Sequence, residues 1–221
     1  MTAAPAERRA VVRDSLSVGA AVGAYGFAFG AASVTAGLSV LQTCLLSLLA
    51  FTGGTQFAVV SVVAGGGSTG AALGSGLLLG ARNTLYAMRL APLLRVRGLR
   101  RFAAALGTID ESTAMAVARD DDELARVAFW WTFIGVFTFW NLSTLLGAVA
   151  GSLVDPKTIG LDAVVPAAFL AFLAPPLRAG AVERRVAVGG AVIAAVLIPL
   201  TPPGVPVLAS CAALLLAGTM R

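Results

Sequence analysis

Residues 15–81 read SLSVGAAVGAYGFAFGAASVTAGLSVLQTCLLSLLAFTGGTQFAVVSVVAGGGSTGAALGSGLLLGA and contain no charged side chain. An α-helix rises about 1.5 Å per residue and the hydrocarbon core of a bilayer is about 30 Å thick, so one crossing needs roughly 20 residues. These 67 consecutive residues are therefore long enough for about three membrane segments. The pattern indicates an integral membrane protein.

The composition of the whole chain agrees with this interpretation and leaves no room for a soluble enzyme domain. Of the 221 residues, 58% are hydrophobic and 12% are charged, whereas soluble domains are about 25% charged. The absence of histidine removes the commonest metal ligand and general base. We predict one membrane domain over residues 1–221, with a short cytoplasmic N-terminus at 1–14 and a polar cytoplasmic interval at 95–126.

The apolar stretches predict an all-α, polytopic protein with about six or seven membrane segments. The first three run from about Ser15 to Leu38, Val40 to Ala64 and Thr69 to Leu94; the others run from about Val127 to Leu153, Ala163 to Leu177, Val186 to Leu200, and from the Pro202–Gly204 turn to Arg221. In the first segment, glycines 19, 23, 26 and 30 fall on one helix face. Such a face predicts close packing against another helix.

A polar interruption, Thr52-Gly53-Gly54-Thr55-Gln56, divides the second segment. Glycines and polar side chains at mid-membrane depth are costly unless they line a cavity or contact protein. Two arrangements fit the distribution of arginines: a re-entrant pair of half-helices, or a fully crossing broken helix in a chain whose N-terminus lies outside. Half-helix ends can bind the charged groups of a zwitterion, so these five residues are candidate substrate-binding residues. The alternative is a glycine kink used for packing.

Arg82 is a charged residue deep within the third apolar segment, roughly 20 Å by helical rise from the arginine cluster that follows. A guanidinium at that depth costs about 2.5–3.5 kcal/mol, so we expect it to face a cavity or a counter-charge. Its planar fork suits the carboxylate of an amino acid, and Asn83 and Tyr86 add neutral polar groups nearby. These three residues are candidates for substrate binding. The alternatives are a structural ion pair with Asp110 or Glu111 and a snorkelling side chain.

The adjacent acids Asp110 and Glu111 admit two interpretations. They could carry a transported proton, because the pKa of a carboxyl beside a cavity can shift towards neutral pH. Alternatively, Thr108 and Glu111 match the capping-box spacing, which predicts a plain helix start. The sequence offers no nucleophile–base pair, metal-ligand cluster or phosphate-binding loop, so we assign no catalytic residue, cofactor or metal site.

Taken in order, these motifs resemble the AzlC family over about residues 9–219. The resemblance is carried by Gly53-Gly54-Thr55-Gln56-Phe57, by Arg82-Asn83-x-x-Tyr86 with Ala91-Pro92 after it, by Asp110-Glu111, and by Gly160-Leu161-Asp162 followed by Phe169-Leu170-Ala171-Phe172-Leu173. Many relatives have histidine where this chain has Asn83. A mechanism that depends on titration of that histidine is therefore not open to this chain.

The resemblance implies the large permease subunit of a branched-chain amino acid exporter in the cytoplasmic membrane of a bacterium or archaeon. It implies valine, leucine and isoleucine as substrates, methionine as a further candidate, and a proton gradient as the driving force. It also implies a small hydrophobic membrane partner of the AzlD type. Three alternatives stay open at this point: a channel or transporter for another small solute or ion, a membrane-embedded enzyme, and an assembly subunit without transport of its own.

Overall fold

The computed structural model describes residues 4–153, 180–201 and 205–218, together with the single positions 170, 174, 177 and 178. Regular structure in this part of the chain is entirely helical. In chain order the helices are α1 (Pro5–Gly23), α2 (Tyr25–Thr35), α3 (Val40–Leu49), α4 (Gly54–Ala64), α5 (Thr69–Gly80), α6 (Arg82–Leu94), α7 (Leu99–Leu106), α8 (Asp110–Val117), α9 (Asp122–Leu153), α10 (Ala181–Leu197), α11 (Val205–Ser210) and α12 (Leu215–Gly218), with a 3₁₀ turn at Cys211–Leu214 before the last. The expected all-α class is confirmed.

Two long apolar helical stretches form the centre of the described structure. Helices α1 and α2 are separated only by Ala24 and together span Pro5–Thr35, which is 31 residues, while α9 has 32 residues. Both stretches are long and apolar enough to cross a membrane. Helices α1 and α2 pack along α9 one after the other. The apolar helices Val40–Leu49, Gly54–Ala64 and Val205–Leu214 are each shorter than the roughly 20 residues that a single straight crossing needs.

Glycines allow the backbones of α1, α2 and α9 to approach closely. A Cβ atom added at Gly19 would lie 2.7 Å from the carbonyl carbon of Gly135, and one added at Gly30 would lie 2.7 Å from the amide nitrogen of Ala148. The contact is reciprocal, because a Cβ atom at Gly147 of α9 would collide with the backbone of Phe27. The predicted packing role of the glycine face is confirmed.

Several helices begin earlier than the apolar pattern predicts. Helix α1 begins at Pro5, so residues 5–14, which the sequence assigned to an N-terminal tail, extend the first helix. Helix α9 begins at Asp122, five residues before the predicted start, and its first turn is acidic. Proline at the first helical position and acids in the first turn both favour a helix start. The apolar pattern therefore predicts the apolar part of these helices but not their polar first turns.

The third predicted segment is divided at Ala81. Helix α5 ends at Gly80 and α6 begins at Arg82, while Ala81 keeps helical backbone angles and its amide donates to the carbonyl of Leu77. The two helices therefore follow one interrupted path. Arg82 occupies the first position of α6 instead of the helix interior that the sequence predicted, because the helix is interrupted immediately after Gly80.

The polar interval 95–126 contains the short helices α7 and α8, and α8 does not begin at the residue that the sequence predicts. The hydroxyl of Thr108 donates to a carbonyl of α7 at 2.7 Å, and α8 begins at Asp110. Ser112 occupies the third helical position, and its hydroxyl accepts from the amide of Ile109 at 3.2 Å. The predicted capping box between Thr108 and Glu111 is wrong, because the residue that precedes the first turn of α8 is Ile109, which places Ser112 and not Glu111 at the third helical position.

Parts of the predicted organisation lie outside the described residues. These are most of segment five, the turn at 202–204, the chain end after residue 218, and the later family motif at 160–162 and 169–173, apart from Leu170. The predicted segment six corresponds to α10, which begins at Ala181.

Candidate functional site

The predicted interruption of the second apolar segment is present in the structure. Helix α3 ends at Leu49 and α4 begins at Gly54, so residues 50–53 form a non-helical connection. Gly53 has φ +58° and ψ −81°, backbone angles that residues with a Cβ atom rarely adopt. The interruption lies slightly before the centre of the predicted motif. As a result, Thr55 and Gln56 belong to the first turn of α4.

Gln56 stabilises the interruption from within the protein. Its side chain is fully buried, and its amide nitrogen donates to the carbonyl of Ser47 at 3.1 Å and to that of Leu46 at 3.4 Å. The Ser47 carbonyl lies in the last turn of α3, where a helix leaves acceptors unpaired, whereas the Leu46 carbonyl also accepts from the amide of Ala50. Thr55 faces the glycines of α5, since a Cβ atom at Gly76 would meet its methyl carbon. Both predicted site residues therefore contact neighbouring helices.

A cavity of about 310 Å³ lies beside the interruption. It is lined by residues from five parts of the chain: Val22, Phe51, Thr52, Gly53, Gly54, Arg82, Ile109, Asp110, Glu111, Val136 and Trp140. Small-molecule sites usually measure about 300–1,000 Å³, so this cavity suits a small ligand. Of the ten residues that the sequence proposed for substrate binding or proton coupling, six line this one space.

An ion pair crosses one side of the cavity. The Nη2 atom of Arg82 donates to the Oδ2 atom of Asp110 at 2.6 Å, and the two side chains are 39% and 41% exposed. The structural ion pair that the sequence left as an alternative is therefore formed. Because Arg82 and Asp110 also line the open space, the pair remains accessible to a small ligand. Tyr86 is partly buried and does not line the cavity.

Polar groups around the cavity lack partners within the described part of the chain. The Nε atom of Arg82, the hydroxyl of Thr52 and the indole nitrogen of Trp140 are buried and make no hydrogen bond. The side-chain oxygen of Asn83 is also buried without a partner, although Asn83 does not line the cavity. An unpaired buried polar group costs about 1–3 kcal/mol. Three donor groups are therefore available to a ligand with acceptor oxygens.

Glu111 provides the second carboxyl of the cavity and lies in α8, outside the two long apolar helices. Burial raises the pKa of this carboxyl and the neighbouring Asp110 carboxylate raises it further, against the opposing effects of a backbone hydrogen bond and the Arg82 guanidinium. A raised pKa means that Glu111 holds its proton at a higher pH than an ordinary glutamate does. The two predicted proton-coupling residues thus lie together beside Arg82.

Apolar residues form the remaining wall, and sequence reasoning did not identify them as site residues. Trp140 is held in place by Phe29, with ring centroids 6.1 Å apart, and by Phe57, with ring centroids 6.4 Å apart. Apolar lining residues resemble ordinary core residues in sequence, which explains why they were missed. One signal was available: an indole N–H in the middle of an apolar segment needs a polar partner.

Nothing in the described residues indicates a metal centre. No group of three or more cysteine, aspartate or glutamate side chains is placed there to hold a metal ion. The chemistry of the site is therefore that of one guanidinium, two carboxyls, a hydroxyl and an indole N–H beside aliphatic and aromatic carbon.

Comparisons with known proteins match the part of the chain that contains this site to a protein family. The model of the AzlC protein family matches residues 17–154, a range that contains every residue lining the cavity. An uncharacterized membrane protein of Archaeoglobus fulgidus is 30% identical over 87% of this chain and 85% of its own length. The inner membrane protein YgaZ of Escherichia coli is 28% identical over 73% of this chain and 69% of its own length.

A further relative has a name that states a transport role. The branched-chain amino acid transport protein AzlC of Bacillus subtilis is 24% identical over 66% of this chain and 58% of its own length. No solved structure matches the chain significantly.

Proposed function

Because the chain belongs to the AzlC family of membrane proteins, we propose that it is the large permease subunit of a branched-chain amino acid exporter in a prokaryotic cytoplasmic membrane. The name of the Bacillus subtilis relative supports the substrate class. The observation that carries the proposal is the cavity that joins the Arg82–Asp110 ion pair to an apolar wall. Such a site combines the groups needed for the charged end and the hydrocarbon end of an aliphatic amino acid.

The charges of the cavity favour a zwitterion over an ion of one sign. The Nε atom of Arg82 and the indole nitrogen of Trp140 are donors for a carboxylate, while Asp110 and Glu111 are acceptors for an ammonium group. Val22, Phe51, Ile109 and Val136 could contact an aliphatic side chain. The runner-up function is a channel or transporter for another small solute or ion, and the apolar wall beside the charged groups favours an aliphatic amino acid over an inorganic ion.

Substrate binding would replace Asp110 with the substrate carboxylate as the partner of Arg82. A substrate carboxylate that takes both donor edges of Arg82 must share or displace Asp110, which now accepts from the Nη2 atom. The released Asp110 carboxylate can then accept the substrate ammonium group or a proton. Glu111, whose pKa is raised, offers a nearby proton. This arrangement supports coupling between substrate export and proton movement.

The membrane arrangement follows the helix lengths. We propose that α1–α2 and α9 each cross the bilayer and that the interrupted α5–α6 path makes a further crossing. Helices α3 and α4, each too short for a full crossing, would meet at the interruption beside the cavity. Six or seven segments in total, a cytoplasmic N-terminus and a small AzlD-type partner complete the proposed architecture.

Flux measurements test the function directly. We expect proteoliposomes containing this chain and a small AzlD-type partner to release leucine and valine at least about tenfold faster than aspartate or lysine, because Arg82 and Asp110 balance each other when Glu111 is protonated and leave the net charge of those substrates uncompensated. A pH gradient should change the leucine rate, and omission of the partner should lower it. Ion flux without amino-acid efflux would favour the channel interpretation and contradict the proposal.

Replacing Glu111 with glutamine should flatten the pH dependence of leucine export. The charged groups acting on Glu111 are Asp110 and Arg82, and its raised pKa places its titration above that of an ordinary glutamate. In the wild type, export should change as the pH rises through this raised pKa, whereas a glutamine stays neutral throughout. Asp120→Asn, which neutralises an exposed acid, is the matched control. An unchanged pH profile in Glu111→Gln would remove Glu111 from proton coupling.

A further inference from the structure

A second, larger concavity lies between the first turns of α1 and the start of α9, and it shares no lining residue with the first cavity. This groove has a volume of about 1060 Å³. Its polar end is lined by Arg8, Arg9 and Arg13 of α1 and by Glu123 of α9, which gives a net charge of +2. Arg13 keeps a largely exposed side chain although it contacts Asp14 at 3.4 Å. The groove therefore presents several guanidinium donors to the outside of the protein.

The other end of the same groove is apolar. Leu16 and Ala20 continue the face of α1 that carries Arg9 and Arg13, and Trp131 of α9 lies opposite them. From Arg9 to Ala20 the helix rises about 16 Å. The groove thus changes from basic to apolar along the helix axis, in the same order as a phospholipid changes from headgroup to acyl chain.

The position of the groove relative to the bilayer follows from helix length. The charge-free part of α1–α2, residues 15–35, rises about 30 Å, which equals the thickness of the hydrocarbon core. Arg13 therefore lies at the edge of the hydrocarbon, and Arg9, one turn earlier, lies at headgroup depth. Leu16 and Ala20 lie at acyl-chain depth. Tryptophan is common at this interface, where its ring is partly apolar and partly polar.

We propose that this groove binds an anionic phospholipid, with its phosphate on Arg9 and Arg13 and an acyl chain along Leu16, Ala20 and Trp131. The net positive charge selects an anionic headgroup over a zwitterionic one. The apolar end distinguishes a lipid from a free phosphate ion, which would gain nothing from it. The site is independent of the amino-acid cavity and of the substrate assigned to it.

Native mass spectrometry of the purified full chain tests the proposal with phosphatidylglycerol and phosphatidylcholine of identical acyl chains. Wild type should bind phosphatidylglycerol at least about tenfold more tightly, since each arginine near a lipid surface contributes roughly fivefold. Arg9→Gln/Arg13→Gln should reduce this preference to within about twofold. Arg97→Gln/Arg100→Gln removes the same charge from exposed positions outside the groove and should leave the preference unchanged.

A second variant tests the acyl part without changing the charge. Ala20→Phe fills the apolar end and should weaken phosphatidylglycerol binding, while excess glycerol 3-phosphate should fail to displace the lipid from wild type. Equal affinity for the two lipids would overturn the proposal. So would displacement by glycerol 3-phosphate with Ala20→Phe binding as wild type does, because that result identifies a site for a soluble anion.

Discussion

Replacing Arg82 with alanine should lower leucine export by about 100-fold or more while the amount of protein in the membrane stays the same. Arg82 is the cation of the cavity, and its Nε atom has no hydrogen-bond partner within the described residues. Without it, a substrate carboxylate would enter a cavity that holds two carboxyls and no positive charge. The measurement is efflux of radiolabelled leucine, normalised to the protein found in the membrane fraction.

Arg89→Ala is the matched control for this variant, because Arg89 lies two turns along the same helix, is exposed and does not line the cavity. Arg82→Lys separates substrate binding from a purely structural ion pair, because lysine keeps the positive charge opposite Asp110 but lacks the planar guanidinium and its Nε donor. If Arg82 only neutralises Asp110, Arg82→Lys should keep most of the export rate. If Arg82 binds the substrate carboxylate, Arg82→Lys should export leucine at least about tenfold more slowly. Normal export by Arg82→Ala alone would contradict the carboxylate role outright.

Replacing Gly30 with alanine should reduce the free energy of unfolding by about 3 kcal/mol. The added methyl group would enter the backbone of α9, at the carbonyl oxygen of Thr144 and 2.7 Å from the amide nitrogen of Ala148. Backbone cannot rotate away as a side chain can, so the two helices would have to separate along their length. The measurement is thermal or denaturant unfolding of the purified chain in detergent.

Gly74→Ala serves as the control, since a Cβ atom there would meet no described atom within 4 Å. Alanine is also the better helix former, so this control should be neutral or slightly stabilising. Equal stability of the Gly30 and Gly74 variants would show that α2 and α9 can separate without loss, and that the glycine face is not needed for packing.

The polar part of the candidate site was predictable because polar groups are costly inside an apolar chain. Thr52, Gly53 and Arg82 stand out against their apolar neighbours, and they do meet at one cavity. Trp140 did not stand out, because a residue that lines an apolar wall has the same sequence signature as a residue of the core. The periodicity of residue types can identify one face of a helix, but it does not show which other element packs against that face.

Helix ends were predicted less well, for a related reason. Thr108 does not cap α8, because the helix begins one residue later than the spacing predicts and Ile109 occupies the N-cap position. Gln56 shows the same limit. Its polarity correctly indicated the interruption. Its side chain, however, donates to the carbonyls of Leu46 and Ser47 in α3, so it stabilises the interruption by a contact with α3 and does not line the cavity.

The ion pair between Arg82 and Asp110 has a mechanical consequence. It joins α6 to α8, which otherwise make little contact with each other. A ligand that draws the guanidinium away from Asp110 would also remove this connection between α6 and α8. Ligand binding and the separation of the two helices would therefore be thermodynamically linked. In the proposed transporter, an empty site would keep α6 and α8 joined, and a ligand would need an anionic group to break the ion pair between them.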